Sequence, residues 1–382
     1  MPEHSLDPPP PGEQRLSVVL LHWGRNGAGP RFTYELGRAL RKRTDLRVAI
    51  SHVAGTEREA AIAALDVRRL AVKTYTGAWG AILGLPRLVA NVLRFRRFLR
   101  AVDADVVVTS MYSLWHSLAI SLLLPRRTPL VVTVHDATPH VGDDHIVKLW
   151  ARATELRRAN AVVALSETVA AELRQRRGHR LPVFVTVHGA FGDRADVPAR
   201  SAPRHDPPVL GFFGRILPYK GLDLLVAAST LLAERGVQVV TRVHGDGSVP
   251  GGLVDAGHAV AWEPGWVSEE LTNQVVDSFD VLVLPYREAS QSGVLSIALS
   301  EGVPVVATPV GGLAEQVDAT GCGVVASAVT PAAVATAVAQ LLSDTALYAE
   351  CSRRGLASAS SDHGWDRVAA DYAHAVAEAV GR

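Results

Sequence analysis

Residues 209–221 read VLGFFGRILPYKG. Val209–Phe213 is a short apolar run of the kind buried on both faces of a parallel sheet. It predicts a strand that ends at Gly214. The loop beyond it presents two cations, Arg215 and Lys220, before a helix opens near Leu222. Ligands of open α/β sheets bind beyond the carboxyl ends of the strands. Two fixed cations there suit a diphosphate; two solvated charges in a surface turn are the alternative.

The same rhythm continues on both sides. Downstream, the pattern predicts helices over Leu222–Arg235, Glu269–Ser278, Val294–Ser300, Pro331–Leu342, Ala346–Ala357 and Trp365–Val380. Strands are expected at Val237–Val243, Val281–Leu284 and Val303–Ala307. Upstream, LSVVLL (16–21) is a buried strand, followed by a glycine-rich turn. Next comes a helix over Arg31–Arg43 with Phe32, Leu36, Ala39 and Leu40 on one face. Further strands are read at Arg47–Val53, Asp105–Thr109, Leu130–Val134, Ala161–Leu165 and Val183–Val187. Ser166 caps a helix over Thr168–Arg176.

Strand and helix alternate throughout, so the fold class is α/β, with parallel sheets in two similar halves. DRADVPARSAPRHDPP (193–208) has no apolar period and reads as the linker between them. The expected domains are 15–192 and 209–360, followed by a C-terminal helical segment, 361–382. Residues 1–14 are expected to form a disordered tail. A cleft between two such domains is the natural ligand site.

A second signal is PYREASQSGV (285–294), between a strand and a helix that opens near Gly293. Backbone N–H groups at a helix start form an anion site, and Ser292 and Gly293 allow close approach. An ordinary helix cap is the alternative. The third signal is His135-Asp136 at a strand end. His135 can contact a sugar hydroxyl or a phosphate while Asp136 orients it; a structural histidine is the alternative. The turn Gly27–Gly29 offers backbone to a ligand, although its spacing is not G-x-G-x-x-G. Gly245-Asp246-Gly247 is a common strand-end turn.

Of 382 residues, 48% are hydrophobic and 20% charged, which fits a soluble two-domain protein. The net charge of +1 hides a division. Residues 1–200 carry 29 Lys and Arg against 18 Asp and Glu, and residues 201–382 carry 10 against 20. The basic half is expected to meet an anionic acceptor or a membrane surface, unless the two halves simply attract each other. The segment 86–102 carries Arg87, Arg94, Arg96, Arg97 and Arg100 and is the expected peripheral membrane contact. Two cysteines, Cys322 and Cys351, fit a reducing compartment. The N-terminus has no basic and apolar signal, and the longest apolar run, 118–124, is too short to cross a bilayer. The expected location is cytoplasmic, with contact at the inner face of the membrane. No nucleic-acid motif stands out. The sequence has no Asp-x-Asp of the kind that holds a divalent metal on a diphosphate (Asp103-Ala104-Asp105 leads into a buried strand), no G-x-x-x-x-G-K-[ST] loop and no G-x-S-x-G elbow. No metal or other cofactor is expected.

Taken together, GRILPYKG (214–221), LPYREASQSGVLSIALSEGVPVVATPVGGLAEQV (284–317), VVTVHDATPH (131–140) and AVVALSETVAAEL (161–173) resemble the family-four glycosyltransferases of GT-B fold. The resemblance runs from about Leu16 to Tyr372. It implies two facing Rossmann-like domains, with a nucleotide-sugar donor bound mainly by the second and a final helix crossing back to the first. It also implies transfer with retention of configuration and no essential metal. By position, Arg215 and Lys220 match the family's diphosphate pair, and His135 matches the histidine near the donor sugar. Gly27 and Gly29 match the glycine loop on the acceptor side. Ser292 and Gly293 match the backbone site under the distal phosphate, with Gly214, Gly245, Glu288 and Gln291 beside it.

One departure stands out. The family's two glutamates fall here on Ser290 and on Ile297 or Ala298, with Glu288 and Glu301 displaced from those positions. The expected function is transfer of a hexosyl group to a glycan, lipid-linked or small-molecule acceptor. A non-catalytic nucleotide-sugar-binding protein and an epimerase of the same architecture are the alternatives.

Overall fold

The computed structural model describes residues 15–25, 27–74, 84–123, 125, 127–136, 146–177, 181–192, 196–254 and 260–382. The N-terminal tail expected at 1–14 lies outside them. The chain forms two compact units. Unit 1 comprises residues 1–187 together with 365–382, and unit 2 comprises 188–364.

Unit 1 is built on seven strands: β1 (Leu16–Leu21), β2 (Leu46–Val53), β3 (Arg68–Val72), β4 (Val106–Thr109), β5 (Leu130–Val134), β6 (Ala161–Ala164) and β7 (Val183–Val185). Their order is β3-β2-β1-β4-β5-β6-β7, and every described pairing is parallel. All six residues of β1 are buried, as expected where helices cover both faces of a sheet. The helices of unit 1 are α1 (Ala28–Leu40), α2 (Glu59–Ala64), α3 (Leu85–Ala101), α4 (Leu114–Leu123), α5 (Ile146–Arg158) and α6 (Glu167–Arg177). The cap expected at α6 forms, with Val169 N–H donating to Ser166 Oγ at 3.3 Å. Helix α1 starts three residues earlier than its apolar spacing suggests. Gly27, with φ +80°, is its N-cap, and Gly29 lies in its first turn.

Unit 2 has six strands: β8 (Val209–Phe213), β9 (Val240–Gly245), β10 (Val260–Pro264), β11 (Val281–Leu284), β12 (Val305–Ala307) and β13 (Gly323–Val325). Their order is β10-β9-β8-β11-β12-β13, again all parallel. Its helices are α7 (Leu222–Glu234), α8 (Gly251–Val254), α9 (Glu269–Asp277), α10 (Gly293–Ser300), α11 (Gly311–Thr320), α12 (Pro331–Ser343) and α13 (Thr345–Ser360). In each sheet the strand order reverses once, between β1 and β4 in unit 1 and between β8 and β11 in unit 2. A reversal of this kind opens a crevice at the carboxyl ends of the two strands.

The last helix, α14 (Trp365–Ala379), belongs to unit 1. Tyr372 is buried and its hydroxyl meets Thr133 Oγ1 at 2.7 Å. Trp365 packs edge-on against Phe32 of α1 at 5.1 Å, and Asp371 accepts from Thr186 at 2.8 Å.

The division differs from the sequence expectation in three places. The chain leaves unit 1 after Val187 rather than 192, and it returns at Trp365 rather than 361. The described part of the expected linker, 196–208, is a strap fastened to unit 2. Arg200 is buried there, its guanidinium donating to the carbonyls of Phe279 at 2.5 Å and Glu301 at 3.2 Å and to Asp277 Oδ1 at 2.8 Å. Its own N–H donates to Ser352 Oγ at 2.9 Å. Those partners lie far away in sequence, so composition alone cannot reveal them. Among the described residues no single helix is long and apolar enough to cross a membrane. The one pair that passes together, α12 and α13, bends by 95° at its break.

Candidate functional site

At the reversal in unit 2, the loops after β8 and β11 touch through their backbones. Arg287 N–H donates to Tyr219 C=O at 2.7 Å. One turn of 3-10 helix, Pro218–Lys220, ends at Gly221, whose φ is +67°. A side chain at 221 would overlap the carbonyl oxygen of Pro285, so only glycine lets the loops close.

Within this junction the two predicted cations come together on one tyrosine. Arg215 Nη2 donates to Tyr219 Oη at 3.4 Å, and Lys220 Nζ lies 5.1 Å from the centre of the Tyr219 ring. Lys220 Nζ also sits 3.6 Å above the ring of Tyr286. Tyr286 is fully buried, and burial pushes its phenol up to about 12, so it stays protonated. Its hydroxyl reaches Ser292 Oγ at 3.4 Å.

Ser292 is the N-cap of α10, and its side chain makes no capping bond. The first turn of α10 therefore carries amides that no cap side chain satisfies. Ser292 contributes less than the sequence suggests. Its own N–H donates to Gln316 Oε1 of α11 at 2.8 Å, which leaves the amides from Gly293 onward as the anion-facing set. Gln291 is only 4% exposed, and neither heteroatom of its side-chain amide has a hydrogen-bond partner among the described residues. A buried amide in that state costs about 1–3 kcal/mol, so a polar ligand group beside it would recover that loss. Glu288 is exposed, while its neighbour Arg287 pairs with Asp223.

Sequence reasoning missed His188. It is buried alongside α10, with Nδ1 3.1 Å from Ser296 Oγ and Nε2 3.5 Å from where a Cβ at Gly293 would stand. Glu301 is buried as well and accepts from Asn273 Nδ2 at 2.6 Å, which holds it in the interior. It cannot take over from the absent glutamates.

Gly245 closes a row across three strand ends. Gly214 N–H donates to His244 C=O at 3.0 Å, and Gly265 N–H to Gly245 C=O at 2.9 Å. Gly214, Gly245 and Gly265 have φ of +139°, +151° and +146°. Side chains are absent along this row, which runs from Arg215 toward Trp266. Trp266 is 54% exposed at the end of β10.

In unit 1, His135 Nδ1 lies 2.8 Å from Asp136 Oδ2 at the end of β5, and both side chains are partly exposed. The structure thus brings this predicted pair together. Gly29 and Gly24 fold over His22, whose Nε2 would lie 2.6 Å from a Cβ at 24. Burial lowers the His22 pKa to about 4 and keeps it neutral. Beneath it, His116 is also held neutral by burial and by His22, and it accepts from Trp23 N–H at 3.4 Å. Burial pushes the carboxyl of Glu155, bonded to Ser117 Oγ, up to about 7. These groups are spread along the chain from 22 to 155, and no local spacing marks them as a network. Among the described residues, no group of three or more His, Cys, Asp or Glu side chains is placed to hold a metal ion.

Two family models match. Residues 29–185 match Glycosyltransferase Family 4, and residues 207–344 match Glycosyl transferases group 1. Among curated relatives, a 2-deoxystreptamine glucosyltransferase of Streptomyces kanamyceticus is 30% identical over 52% of this chain and 54% of its own. An alpha-D-kanosaminyltransferase of the same organism is 27% identical over 57% and 62%. The chain thus spans somewhat more than half the length of these two relatives. Among solved structures, Anabaena HepE in complex with UDP and glucose superposes with a TM-score of 0.69 at 18% identity, covering 94% of this chain and 99% of that one. Sucrose-phosphate synthase from Thermosynechococcus elongatus gives 0.70 at 19%, covering 94% and 98%. The two parallel-sheet α/β units are those of GT-B glycosyltransferases. With a family 4 segment in unit 1 and a group 1 segment in unit 2, the chain belongs to the glycosyltransferases that pair these two domains.

Proposed function

We propose that the protein transfers a hexosyl group from a nucleoside-diphosphate sugar to an anionic or lipid-linked acceptor, with retention of configuration and without a metal ion. One observation carries the reading: Arg215 and Lys220 converge on Tyr219 beside the uncapped start of α10. The donor's diphosphate binds there, against the amides from Gly293 onward, with Gln291 and Glu288 beside the sugar. Its nucleoside runs over Gly214 and Gly245 toward Trp266. Two strand spacings, about 10 Å, separate β8 from β10 and leave room for a ribose and a base.

As the bond from the sugar's anomeric carbon to the phosphate oxygen breaks, its electron pair moves onto the diphosphate. The acceptor oxygen bonds to that carbon on the same face and passes its proton to the departing phosphate oxygen. Fixed cations and amides stabilise the growing charge more in the transition state than in the ground state, by about 2–4 kcal/mol each. His135, oriented by Asp136, serves the sugar, and the turn at Gly27 and Gly29 serves the acceptor side. The excess of basic residues in the first half of the chain suits an anionic acceptor. The two free, buried cysteines suit the cytoplasm, and the arginine face of α3 suits the inner surface of the membrane.

A panel of nucleotide sugars, read by release of nucleoside diphosphate, tests this. Arg215→Ala and Lys220→Ala should each lower the rate about 10²–10³-fold; near-normal rates in both would refute the assignment. The vacated glutamate positions and the interior placement of Glu301 favour a second reading, a protein that binds a nucleotide sugar without turning it over. Binding without release of nucleoside diphosphate, across a panel of acceptors, would select it.

A further inference from the structure

We propose that Tyr286 is a positioning residue of the donor site. Its ring seats the Lys220 ammonium while its hydroxyl steadies the turn that opens α10. The inference rests on the donor reading above and adds to it the part that sets the cation and the helix start in register.

Lys220 belongs to the loop after β8, and Ser292 to the loop after β11. Tyr286 touches both, at 3.6 Å from ring centre to Nζ and 3.4 Å from Oη to Ser292 Oγ. The tyrosine is itself immobilised. It is fully buried, its ring stands edge-on to Phe212 of β8 at 6.5 Å, and its carbonyl accepts from Thr308 Oγ1 at 2.5 Å. An aromatic face attracts a cation through its quadrupole and carries no formal charge. It therefore helps to place the ammonium without itself neutralising it. The hydroxyl link then ties the cation's seat to the helix N-terminus, so that one diphosphate meets both in one geometry.

The probes are the tightest binder among UDP, GDP and ADP, and the matching nucleoside monophosphate, titrated calorimetrically. Tyr286→Leu removes the seat and should weaken the diphosphate roughly tenfold. Binding of the monophosphate should stay within about twofold, because Lys220 is assigned to the diphosphate. Tyr286→Phe keeps the ring and should restore most of the loss. Should the leucine variant not fold, Tyr286→Met removes the ring with a flexible side chain and should give the same selective loss. In a Lys220→Met background most of the effect of Tyr286→Leu should vanish, since the ring acts through that lysine and only the hydroxyl link to Ser292 remains to be lost. Unchanged diphosphate binding in the ring-deleted variant, or an equal loss of both ligands, overturns the proposal. If wild type binds none of the three diphosphates, the donor reading fails and this inference with it. If wild type binds and the variant matches it, only this inference fails.

Discussion

Replacing Gly245 by alanine should damage unit 2 far more than the same change at Gly236, and the difference can be worked out in advance. Both glycines have positive φ, +151° and +79°. At 236 nothing lies within 4 Å of the added methyl group. The cost there is the backbone conformation alone, about 1–2 kcal/mol for alanine. At 245 the methyl group would overlap the carbonyl oxygen of Gly214 and lie 2.7 Å from its carbon and 3.2 Å from its nitrogen. An entire peptide group must retreat. Strain of about 1–3 kcal/mol for a conformation that glycine alone favours adds to about 1–3 kcal/mol of overpacking. A total of roughly 4 kcal/mol corresponds to a fall in Tm of about 8–16 °C for a domain of this size. Gly236→Ala should cost about 2–8 °C on the same scale. Because Gly214 precedes Arg215, its retreat also pulls the guanidinium from Tyr219, and affinity for a nucleoside diphosphate should fall with stability. Calorimetric melting with and without UDP, GDP and ADP reads both quantities. Equal melting points for the two variants, or a Gly245→Ala protein with normal Tm and normal diphosphate affinity, would refute this account of the strand-end row.

Three further outcomes are expected. Trp266→Ala should weaken nucleoside diphosphate binding by about 1–3 kcal/mol, the worth of stacking one base, and wild-type tryptophan fluorescence should be quenched on binding; a neutral variant would remove the base from that end of the row. The folded-state pKa of Glu155 is raised from 4.5 to about 7, so its stabilisation is complete below pH 4.5, declines as pH rises through 7 and is flat above. Glu155→Gln, which keeps a partner for Ser117, should therefore gain up to about 3 kcal/mol relative to wild type between pH 5 and pH 8. The opposite dependence of neutral His22 is common to both proteins, while His116, with Nε2 3.6 Å from Glu155 Oε1, is coupled to the substituted site; a pH-independent difference in urea unfolding would sink the assignment. On α3, Val89 and Leu93 are 52% and 50% exposed, one turn apart, among arginines and with no acidic residue in the helix. Wild type should sediment with phosphatidylglycerol vesicles, and neutralising Arg94, Arg96, Arg97 and Arg100 should weaken this by about 1 kcal/mol per charge; no sedimentation of wild type would end the membrane proposal.

What could be read from the sequence follows from what the sheet does to a strand. β1, β4, β5, β6, β8 and β11 are central and buried, so they appear as near-continuous apolar runs such as LSVVLL. Of the edge strands, the apolar β7 was expected, whereas β3, β10 and β13, which are only partly buried and carry arginine, glutamate, proline or glycine, were not. Helix α11 opens with Gly311-Gly312 and was not among the expected helices, yet it supplies Gln316 to the Ser292 amide. Arg215, Lys220, Ser292 and Gly293 could be named as candidates from the sequence because they are cations and small residues at strand ends, where ligands of α/β sheets bind. His188, Tyr286 and the His22–Glu155 network were not, because each depends on neighbours that only the fold brings close.

The path of the chain has a consequence for synthesis. Unit 2 leaves and rejoins unit 1 through segments bonded to each other, with Ala190 N–H donating to His363 C=O at 2.8 Å. On the ribosome, the first seven strands therefore emerge long before α14 does, and the bond from Thr133 to Tyr372 must wait for a residue 239 positions later. Until then the surface that Trp365 and Tyr372 will cover is open, and loss of the last eighteen residues would leave a nascent chain whose second half can mature while its first half stays a target for chaperones and proteases.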